Sequence, residues 1–374
     1  MAAGSSATAS WENRLKEFQA FTVAHPYLAA AKEDLIRAIR QSEPNSIVMV
    51  FGPTGVGKTT LRIKAEQILT DEFRAELETD PWRLPVVSVE AAAPEAGSFN
   101  WSSHFKKMLQ EIGDPFTNQR RLLGPVDVVT ENGNRLSLAS RCSGNEYRYA
   151  FEQTLRYRKP GAVMIDEAQH LAKVASGRRL LDQLDVIKSI ANRTNTIHVL
   201  LGTYDLLAFR NLSGQLSRRS VDVHFPRYRA ESADDRRVFI NVVHSFQQKL
   251  PLPDPPDLVK HWELLYERSF GCVGILKQWL VQALAAALRR GDASISVASL
   301  ERHALSVAQC DRILSEIVEG EARVAESETL RSNLRIRLGL TVPAPPTKRN
   351  YSARPGQRKP TRDPVGRTAD ATNL

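Results

Sequence analysis

The residues with the clearest chemistry form a glycine-rich segment, GPTGVGKTT, at positions 52–60. The segment matches the pattern G-x-x-x-x-G-K-[ST], in which glycines let backbone N–H groups wrap around phosphate oxygens. A helix starting after Gly57 adds the positive end of its dipole. Lys58 is expected to reach the β- and γ-phosphates, and the Thr59 hydroxyl to ligate Mg²⁺. The residues predicted to hold ATP with Mg²⁺ are Gly52, Pro53, Thr54, Gly55, Val56, Gly57, Lys58, Thr59 and Thr60.

A pair of acidic residues follows another apolar run, AVMI, at 162–165. If that run is a strand of the same sheet, Asp166 stands at the carboxyl edge beside the phosphates, where it can hold the water shell of Mg²⁺. Glu167, one residue later, is placed to orient or deprotonate the attacking water. Together with the glycine-rich segment, this pair predicts an ATPase of the P-loop type.

Further residues have the chemistry to act on the γ-phosphate. Thr203 follows a third apolar run, 197–201, and is predicted to sense that phosphate. Arg218 or Arg219, between which the sequence does not decide, is expected to reach a neighbouring subunit's nucleotide, so that hydrolysis depends on assembly; a plain surface pair is the alternative. Lys277, at the predicted start of a helix, is expected to reach back to the γ-phosphate.

These residues need a parallel sheet to position them. Short apolar runs rich in β-branched residues predict strands buried on both faces, and helical patterns separate them, so we predict a three-layer α/β domain with a parallel sheet. Beyond about residue 228 the strand signals fade, which predicts a small helical lid domain. The predicted strands are 46–51, 85–90, 162–165 and 197–201, and the predicted late helices are 233–250, 256–270, 274–290, 297–319 and 321–338.

The same signals divide the chain into four parts. An Asn-Gly pair between two alternating segments, 126–130 and 135–139, predicts a β-hairpin in an insertion at about 113–146. The last 34 residues hold seven basic residues, two acidic residues and six prolines, which predicts a disordered basic tail. The parts are an N-terminal helical segment (1–40), the nucleotide-binding domain (41–228), the helical lid domain with C-terminal helices (229–340) and the tail (341–374).

The composition excludes other classes of protein. With 42% hydrophobic and 25% charged residues, the chain is not disordered throughout. No apolar run approaches the about 18 residues that a membrane span needs, and the first residues lack the pattern of a secretory signal. Cys142, Cys272 and Cys310 have neither metal-ligand spacing nor the even number of a disulfide framework. We therefore expect a cytoplasmic protein with no membrane partner.

The motifs together resemble the AAA+ ATPases, and within them the TniB/TnsC family of transposition regulators. The glycine-rich segment, the acidic pair, the threonine, the arginine pair and the trailing helices carry the wider resemblance. The closer one covers roughly residues 25–290 and rests on the segments PVVSVEA (85–91), GSFNW (97–101), LQEIGDP (109–115), IDEAQHL (165–171) and LGT (201–203).

This resemblance implies how the protein acts. It implies a prokaryotic homo-oligomer that forms a ring or a helical filament around double-stranded DNA, independently of base sequence. It also implies a platform between a target-selecting protein and a DDE transposase, whose contact triggers hydrolysis or disassembly. In this family a C-terminal arm can engage the transposase machinery, which is the role expected of the tail.

A protein that surrounds duplex DNA is expected to face its phosphates with lysine and arginine side chains, without base contacts. Several such residues lie near or within the 113–146 insertion. For each of them a solvated surface charge is the alternative. The candidates are Lys106, Lys107, Arg120, Arg121, Arg135 and Arg141.

Two other functions fit part of the sequence. An AAA+ replication initiator or helicase loader uses the same nucleotide residues, but should bring a winged-helix or helix-turn-helix domain, for which 291–340 looks too short and too charged. A structural adaptor that does not hydrolyse ATP is disfavoured by the intact glycine-rich segment and acidic pair.

Overall fold

The computed structural model describes residues 3–94, 99–114, 126–129, 135–138, 144–172, 178–210, 220–325 and 328–340. The chain divides into two units, Met1–Val324 and Ala325–Leu374. The predicted tail and the turn of the predicted hairpin lie outside the described residues.

A parallel sheet organises the first unit. The strands are β1 (Ile47–Phe51), β2 (Val86–Glu90), β3 (Val126–Val129), β4 (Arg135–Leu138), β5 (Ala162–Asp166), β6 (His198–Gly202) and β7 (Ser220–His224). Five of these described strands form the sheet, in the order β2–β5–β6–β1–β7. β1, β5 and β6 are buried at every position, as predicted for apolar runs covered on both faces. β3 and β4 pair antiparallel with each other, in the arrangement of a β-hairpin.

β7 is a strand that the sequence analysis does not predict. It lies at an edge of the sheet beside β1. Val221 and Asp222 are exposed, so the segment lacks the continuous apolar run by which the inner strands are recognised.

Helices cover both faces of the sheet, and the helices between Ala233 and His303 share a core of their own within the first unit; they are called the lid below. The described helices are α1 (Ala3–Ala20), α2 (Pro26–Gln41), α3 (Lys58–Glu72), α4 (Arg74–Thr79), α5 (Trp101–Glu111), α6 (Gly144–Arg158), α7 (Arg178–Thr194), α8 (Leu207–Arg210), α9 (Ala233–Lys249), α10 (Trp262–Ser269), α11 (Val273–Arg290), α12 (Val297–His303), α13 (Val307–Val324) and, in the second unit, α14 (Glu328–Arg337). Short 3₁₀ helices lie at Ala168–Leu171, Tyr204–Leu206 and Val259–His261.

The prediction of one helix over 297–319 is wrong, because a new helix begins after Ser306. The Ser306 hydroxyl accepts the Gln309 N–H at 3.4 Å, and its carbonyl accepts the Cys310 N–H at 2.9 Å. A serine that caps the first N–H groups in this way is a typical helix start.

The two faces of the sheet bury separate apolar cores, which confirms the three-layer α/β prediction. Alternate residues of each strand point to opposite faces. On one face Met49 and Leu200 pack with residues of α5, α6 and α7. On the other face Val50 and Val199 pack with residues of α2 and α3. Each large apolar side chain fully buried in this way stabilises the folded state by about 1.5–3 kcal/mol.

The lid has its own core, to which the N-terminal helix contributes. Phe18 of α1 is buried among residues of α9, α10, α11 and α12, with Trp11 and Leu15 packed beside it. The next helix, α2, packs on the sheet instead. Of the two N-terminal helices, α1 therefore belongs to the lid core and α2 to the core on one face of the sheet.

No single helix among the described ranges is long and apolar enough to cross a membrane. One bent pair, Val259–Ser269 with Val273–Arg290, passes that test on length and composition.

Candidate nucleotide site

The loop after β1 has a backbone that requires glycine. Gly55 and Gly57 have φ angles of +68° and +115°, which other residues rarely adopt. A Cβ on Gly52 would stand 2.1 Å from the Phe225 carbonyl oxygen, because the loop passes close to the chain after β7. α3 then begins at Lys58, and within the described residues no side chain caps it. Its first N–H groups are therefore available to an anion.

Lys58 is a buried cation at the start of α3, with a side chain only 7% exposed. Its ammonium donates to the carbonyls of Gly52 (3.1 Å) and Pro53 (2.7 Å). Burial lowers the pKa of Lys58 to about 8, and the nearby carboxylates of Glu167 and Asp166 act in the opposite direction. These groups offset only part of the cost of burying the charge of Lys58, which leaves the ammonium able to gain from a bound phosphate.

Asp166 ends β5 and is 4% exposed. One carboxylate oxygen accepts the Glu167 N–H at 3.0 Å, and the other accepts Nε of Arg62 at 3.1 Å. Arg62 also donates to the Ser88 hydroxyl (2.6 Å) and pairs with Glu66. Arg62 is not among the residues predicted from the sequence, although its position four residues after Lys58 places both on one side of α3.

Glu167 adopts a backbone conformation that is uncommon for glutamate. Its φ is +52°, in the left-handed region, immediately before the 3₁₀ helix Ala168–Leu171. Such a conformation costs on the order of 1–3 kcal/mol and persists only where its surroundings hold it. Gln169 supplies part of that hold, since its side-chain amide donates to the Glu167 carboxylate.

Most of the predicted residues surround one cleft of about 700 Å³, a size that suits a nucleotide, but Gly52 and Val56 do not line it. It lies at the carboxyl ends of β1, β5 and β6, which are adjacent in the sheet. Asp166 itself is not among the lining residues, and its carboxylate accepts the N–H of Glu167, which lines the cleft. Predicted residues that line it are Pro53, Thr54, Gly55, Gly57, Lys58, Thr59, Thr60, Glu167 and Thr203.

The lid touches the glycine-rich loop at the start of α11. The Gly55 carbonyl accepts the N–H groups of Gly274 (2.8 Å) and Ile275 (3.2 Å). Lys277, which the sequence analysis assigns to the γ-phosphate, is not brought to the cleft. Its ammonium donates to the Gln19 carbonyl of the N-terminal segment at 2.6 Å. The next residue, Gln278, lines the cleft instead.

A second helix, α13, closes the cleft on the lid side and was not predicted there. Gly320 packs so closely on Tyr204 that a Cβ would stand 2.1 Å from its ring. Glu321 forms an ion pair with Arg227 at 2.9 Å, both partners being mostly buried. The charged residues that α13 presents to the cleft are Arg312, Glu316, Glu319 and Arg323.

The predicted DNA contacts are only partly within the described residues. Lys106 and Lys107 lie on α5, half-buried, and Lys107 donates to the Glu90 carbonyl at 3.1 Å. Arg135 lies in β4, but its side chain is outside the described part. The predictions for Arg120, Arg121 and Arg141, and for Arg218 and Arg219, fall outside the described residues.

Comparison with protein families finds one match, in the central part of the chain. Residues 40–209 match the family model described as an AAA domain. Among curated proteins, none matches the chain significantly.

Solved structures resemble the fold. The ORC2 protein of Aeropyrum pernix in its ADP form is 17% identical, with a TM-score of 0.50 over 77% of this chain and 71% of that chain. A Walker-type ATPase of Pyrococcus abyssi is 18% identical, with a TM-score of 0.40 over 82% and 75% of the two chains. Domain III of the replication initiation protein DnaA of Thermotoga maritima is 13% identical, with a TM-score of 0.38 over 80% and 95%. The match to the AAA domain model and the likeness to the ORC2 structure support the fold of AAA+ P-loop proteins. The resemblance to TniB/TnsC regulators stays a prediction.

Proposed function

We propose that this chain, in which residues 40–209 form an AAA domain, binds ATP with Mg²⁺ in the cleft and hydrolyses the γ-phosphate bond. The observation that carries the proposal is the convergence of Lys58, Thr59 and Glu167 on one cleft, at an uncapped helix start. Phosphate oxygens would accept hydrogen bonds from the loop N–H groups there. The Lys58 ammonium, which donates to two loop carbonyls in this structure, would then donate to the phosphate oxygens.

The residues beside the loop suit Mg²⁺. This ion prefers a few hard oxygen ligands, completed by substrate phosphates and water. Thr59 is exposed and lines the cleft, and Asp166 ends β5 immediately before Glu167, which also lines it. If Thr59 and Asp166 hold Mg²⁺, the ion would supply positive charge that stabilises the phosphates during hydrolysis.

Glu167 and Thr203 are the residues for the chemical step. The Glu167 carboxylate takes a proton from the attacking water as the oxygen–phosphorus bond forms, and the bond to the β-phosphate oxygen breaks. Thr203, at the end of the adjacent strand β6, orients the γ-phosphate through its hydroxyl. Arg218 or Arg219 supplies positive charge to the nucleotide of a neighbouring subunit.

Two substitutions test the ATPase proposal. Lys58→Ala should abolish ATP binding, and Glu167→Gln should retain binding but lose hydrolysis by about a hundredfold or more. Glu263→Gln, which removes the same charge from an exposed position of α10, is the matched control. Normal turnover in Glu167→Gln would remove this residue from its role, and a wild-type chain that neither binds nor hydrolyses ATP would refute the proposal.

We infer further that the ATPase regulates DNA transposition. In this proposal ATP-bound subunits oligomerise as a ring or filament on double-stranded DNA and connect a target selector with a DDE transposase. The support is the sequence resemblance in 85–91 and 97–115, which includes β2 and α5. The half-buried Lys106 and Lys107 of α5 are the described candidates for phosphate contacts.

DNA binding in the presence of a non-hydrolysable ATP analogue tests this assignment. Replacing Lys106 and Lys107 by alanine should weaken binding equally on unrelated sequences and reduce the slope of log affinity against log salt by up to about 2. The control replaces the exposed Lys16 and Lys260. Equal loss in both pairs would show a general charge effect and remove the α5 lysines from the interface.

A replication initiator or helicase loader is the second candidate, favoured by the likeness to the ORC2 protein. The described part of 291–340 contains α12, α13 and α14 and no strand, so it offers no β-wing of a winged helix. Footprinting on random and defined duplexes separates the candidates. The transposition regulator should protect DNA of any sequence, whereas an initiator should prefer one site.

A further inference from the structure

The side-chain amide of Gln169 joins two residues of the candidate ATPase site. Gln169 is 3% exposed and lies in the 3₁₀ helix after the acidic pair. Its Nε2 donates to the Glu167 carboxylate, and its Oε1 accepts the Thr203 N–H at 3.2 Å. Glu167 follows β5 and Thr203 follows β6, so one amide spans the ends of two adjacent strands.

The chemistry of the two partners fixes the orientation of this amide. A backbone N–H only donates, so the oxygen end of Gln169 must face Thr203. An ionised carboxylate only accepts, so the NH₂ end must face Glu167. A reversed amide would leave a buried donor against a donor and an acceptor against an acceptor, which is strongly unfavourable.

Gly202 leaves the space that the amide needs. A Cβ at this position would stand 2.4 Å from Gln169 Oε1 and 3.1 Å from the Gln169 backbone nitrogen. A side chain at the last residue of β6 would therefore displace the Gln169 amide oxygen from its position at the Thr203 N–H. The backbone conformation of Gly202 is itself ordinary, because its φ lies outside the left-handed region.

We propose that Gln169 is a positioning residue for ATP hydrolysis, which holds the Glu167 carboxylate and couples its position to Thr203. This inference rests on the proposed ATPase activity. The bond from Nε2 occupies one carboxylate oxygen of Glu167 and leaves the other to take the proton of the attacking water. Because the same amide holds Thr203, a shift of Thr203 at the γ-phosphate also shifts the support of Glu167.

Two variants separate the two ends of the amide. Gln169→Glu keeps an oxygen for the Thr203 N–H but places a second carboxylate against Glu167, so kcat should fall about tenfold or more while the Kd for ATP stays within about twofold. Gly202→Ala displaces the oxygen end, so kcat should fall similarly and the Thr203 amide should also exchange with deuterium faster. In Gln169→Glu that amide should stay protected.

The matched control is Gln247→Glu, which makes the same change at a half-buried glutamine that accepts two backbone N–H groups within the lid. It should leave kcat unchanged. In a Glu167→Gln background, Gln169→Glu should cause no further loss, because a residue that acts through Glu167 has nothing left to position.

The outcomes distinguish the positioning role of Gln169 from the proposed ATPase activity on which it rests. The positioning role of Gln169 is refuted if the wild-type chain hydrolyses ATP and both Gln169→Glu and Gly202→Ala match the control in kcat. The proposal of ATPase activity is retained in that case. A wild-type chain without turnover refutes both. Should Gln169→Glu fail to fold, the kcat and amide exchange of Gly202→Ala decide the question.

Discussion

At the scale of single residues, the charge of Lys58 is set by its surroundings in the cleft. Burial lowers the pKa of this lysine to about 8, since its ammonium meets only two backbone carbonyls at hydrogen-bonding distance among the described residues. A phosphate at that distance favours the charged form and raises the pKa. The protonation of Lys58 and the binding of ATP are therefore linked.

The linkage predicts proton uptake when ATP binds above pH 8. There the free protein has lost the Lys58 proton and the bound protein keeps it, so affinity should fall as pH rises, by at most about tenfold per pH unit. Below pH 8 both forms are protonated and the uptake vanishes. Calorimetry at about pH 9 in two buffers of different ionisation enthalpy measures the uptake. Lys277→Met, which removes another lysine whose pKa burial lowers, is the control.

Equal heats of binding in the two buffers would contradict this assignment. Loss of proton uptake in Lys277→Met would assign the uptake to Lys277, whose ammonium donates to the Gln19 carbonyl, and not to Lys58.

At the scale of elements, the contact between α11 and the glycine-rich loop links the lid to the phosphate site. The Gly55 carbonyl accepts two N–H groups from the first turn of α11. These groups have no partner within the helix, so the loop acts as the cap of α11. Because of these two bonds, a displacement of the loop by bound phosphate would also act on α11.

Gly274→Ala should break this contact and weaken ATP binding by about tenfold or more. A Cβ at Gly274 would stand 2.4 Å from the Gly55 carbonyl oxygen, so loop and helix must separate. Alanine stabilises a helix by about 1 kcal/mol more than glycine does, so a loss of ATP affinity cannot come from weaker helix propensity. Titration with a fluorescent ATP analogue measures the effect, and unchanged affinity would show that the loop tolerates the separation.

The elements also show what a sequence can reveal. β1, β5 and β6 are predictable because strands buried on both faces are apolar throughout, whereas the edge strand β7 has no such pattern. The glycine-rich loop and the acidic pair are each local in sequence, so their chemistry can be read from adjacent residues. The Gln169–Thr203 bond joins residues 34 positions apart through strand packing, and no local pattern encodes it.

At the scale of the whole first unit, α13 connects the lid with the sheet across the cleft. Its Ile317 is buried with Cys272 at the lid side, and its Gly320 packs against Tyr204 after β6. Glu321 on the same helix pairs with Arg227, which follows β7. The helix thus contacts both sides of the cleft, and a movement of the lid relative to the sheet must act on it.

The Arg227–Glu321 pair should carry much of this connection. Arg227 is 8% exposed, and its guanidinium also donates to the Phe270 carbonyl and the Tyr266 hydroxyl near the lid. Glu321→Gln leaves that buried charge without a carboxylate, which should lower the free energy of unfolding by about 3 kcal/mol or more. Denaturant unfolding followed by fluorescence measures the loss.

Glu319→Gln, on the same helix, is the matched control. Glu319 pairs with Arg323, and both side chains are largely exposed to solvent, so its loss should cost at most about 1 kcal/mol. Replacing Arg227 by methionine together with Glu321 by leucine should recover most of the stability, because apolar residues then fill the site and no charge stays buried. Equal losses in Glu321→Gln and Glu319→Gln would mean that the pair adds no more than a surface contact and that α13 is held by its apolar residues alone.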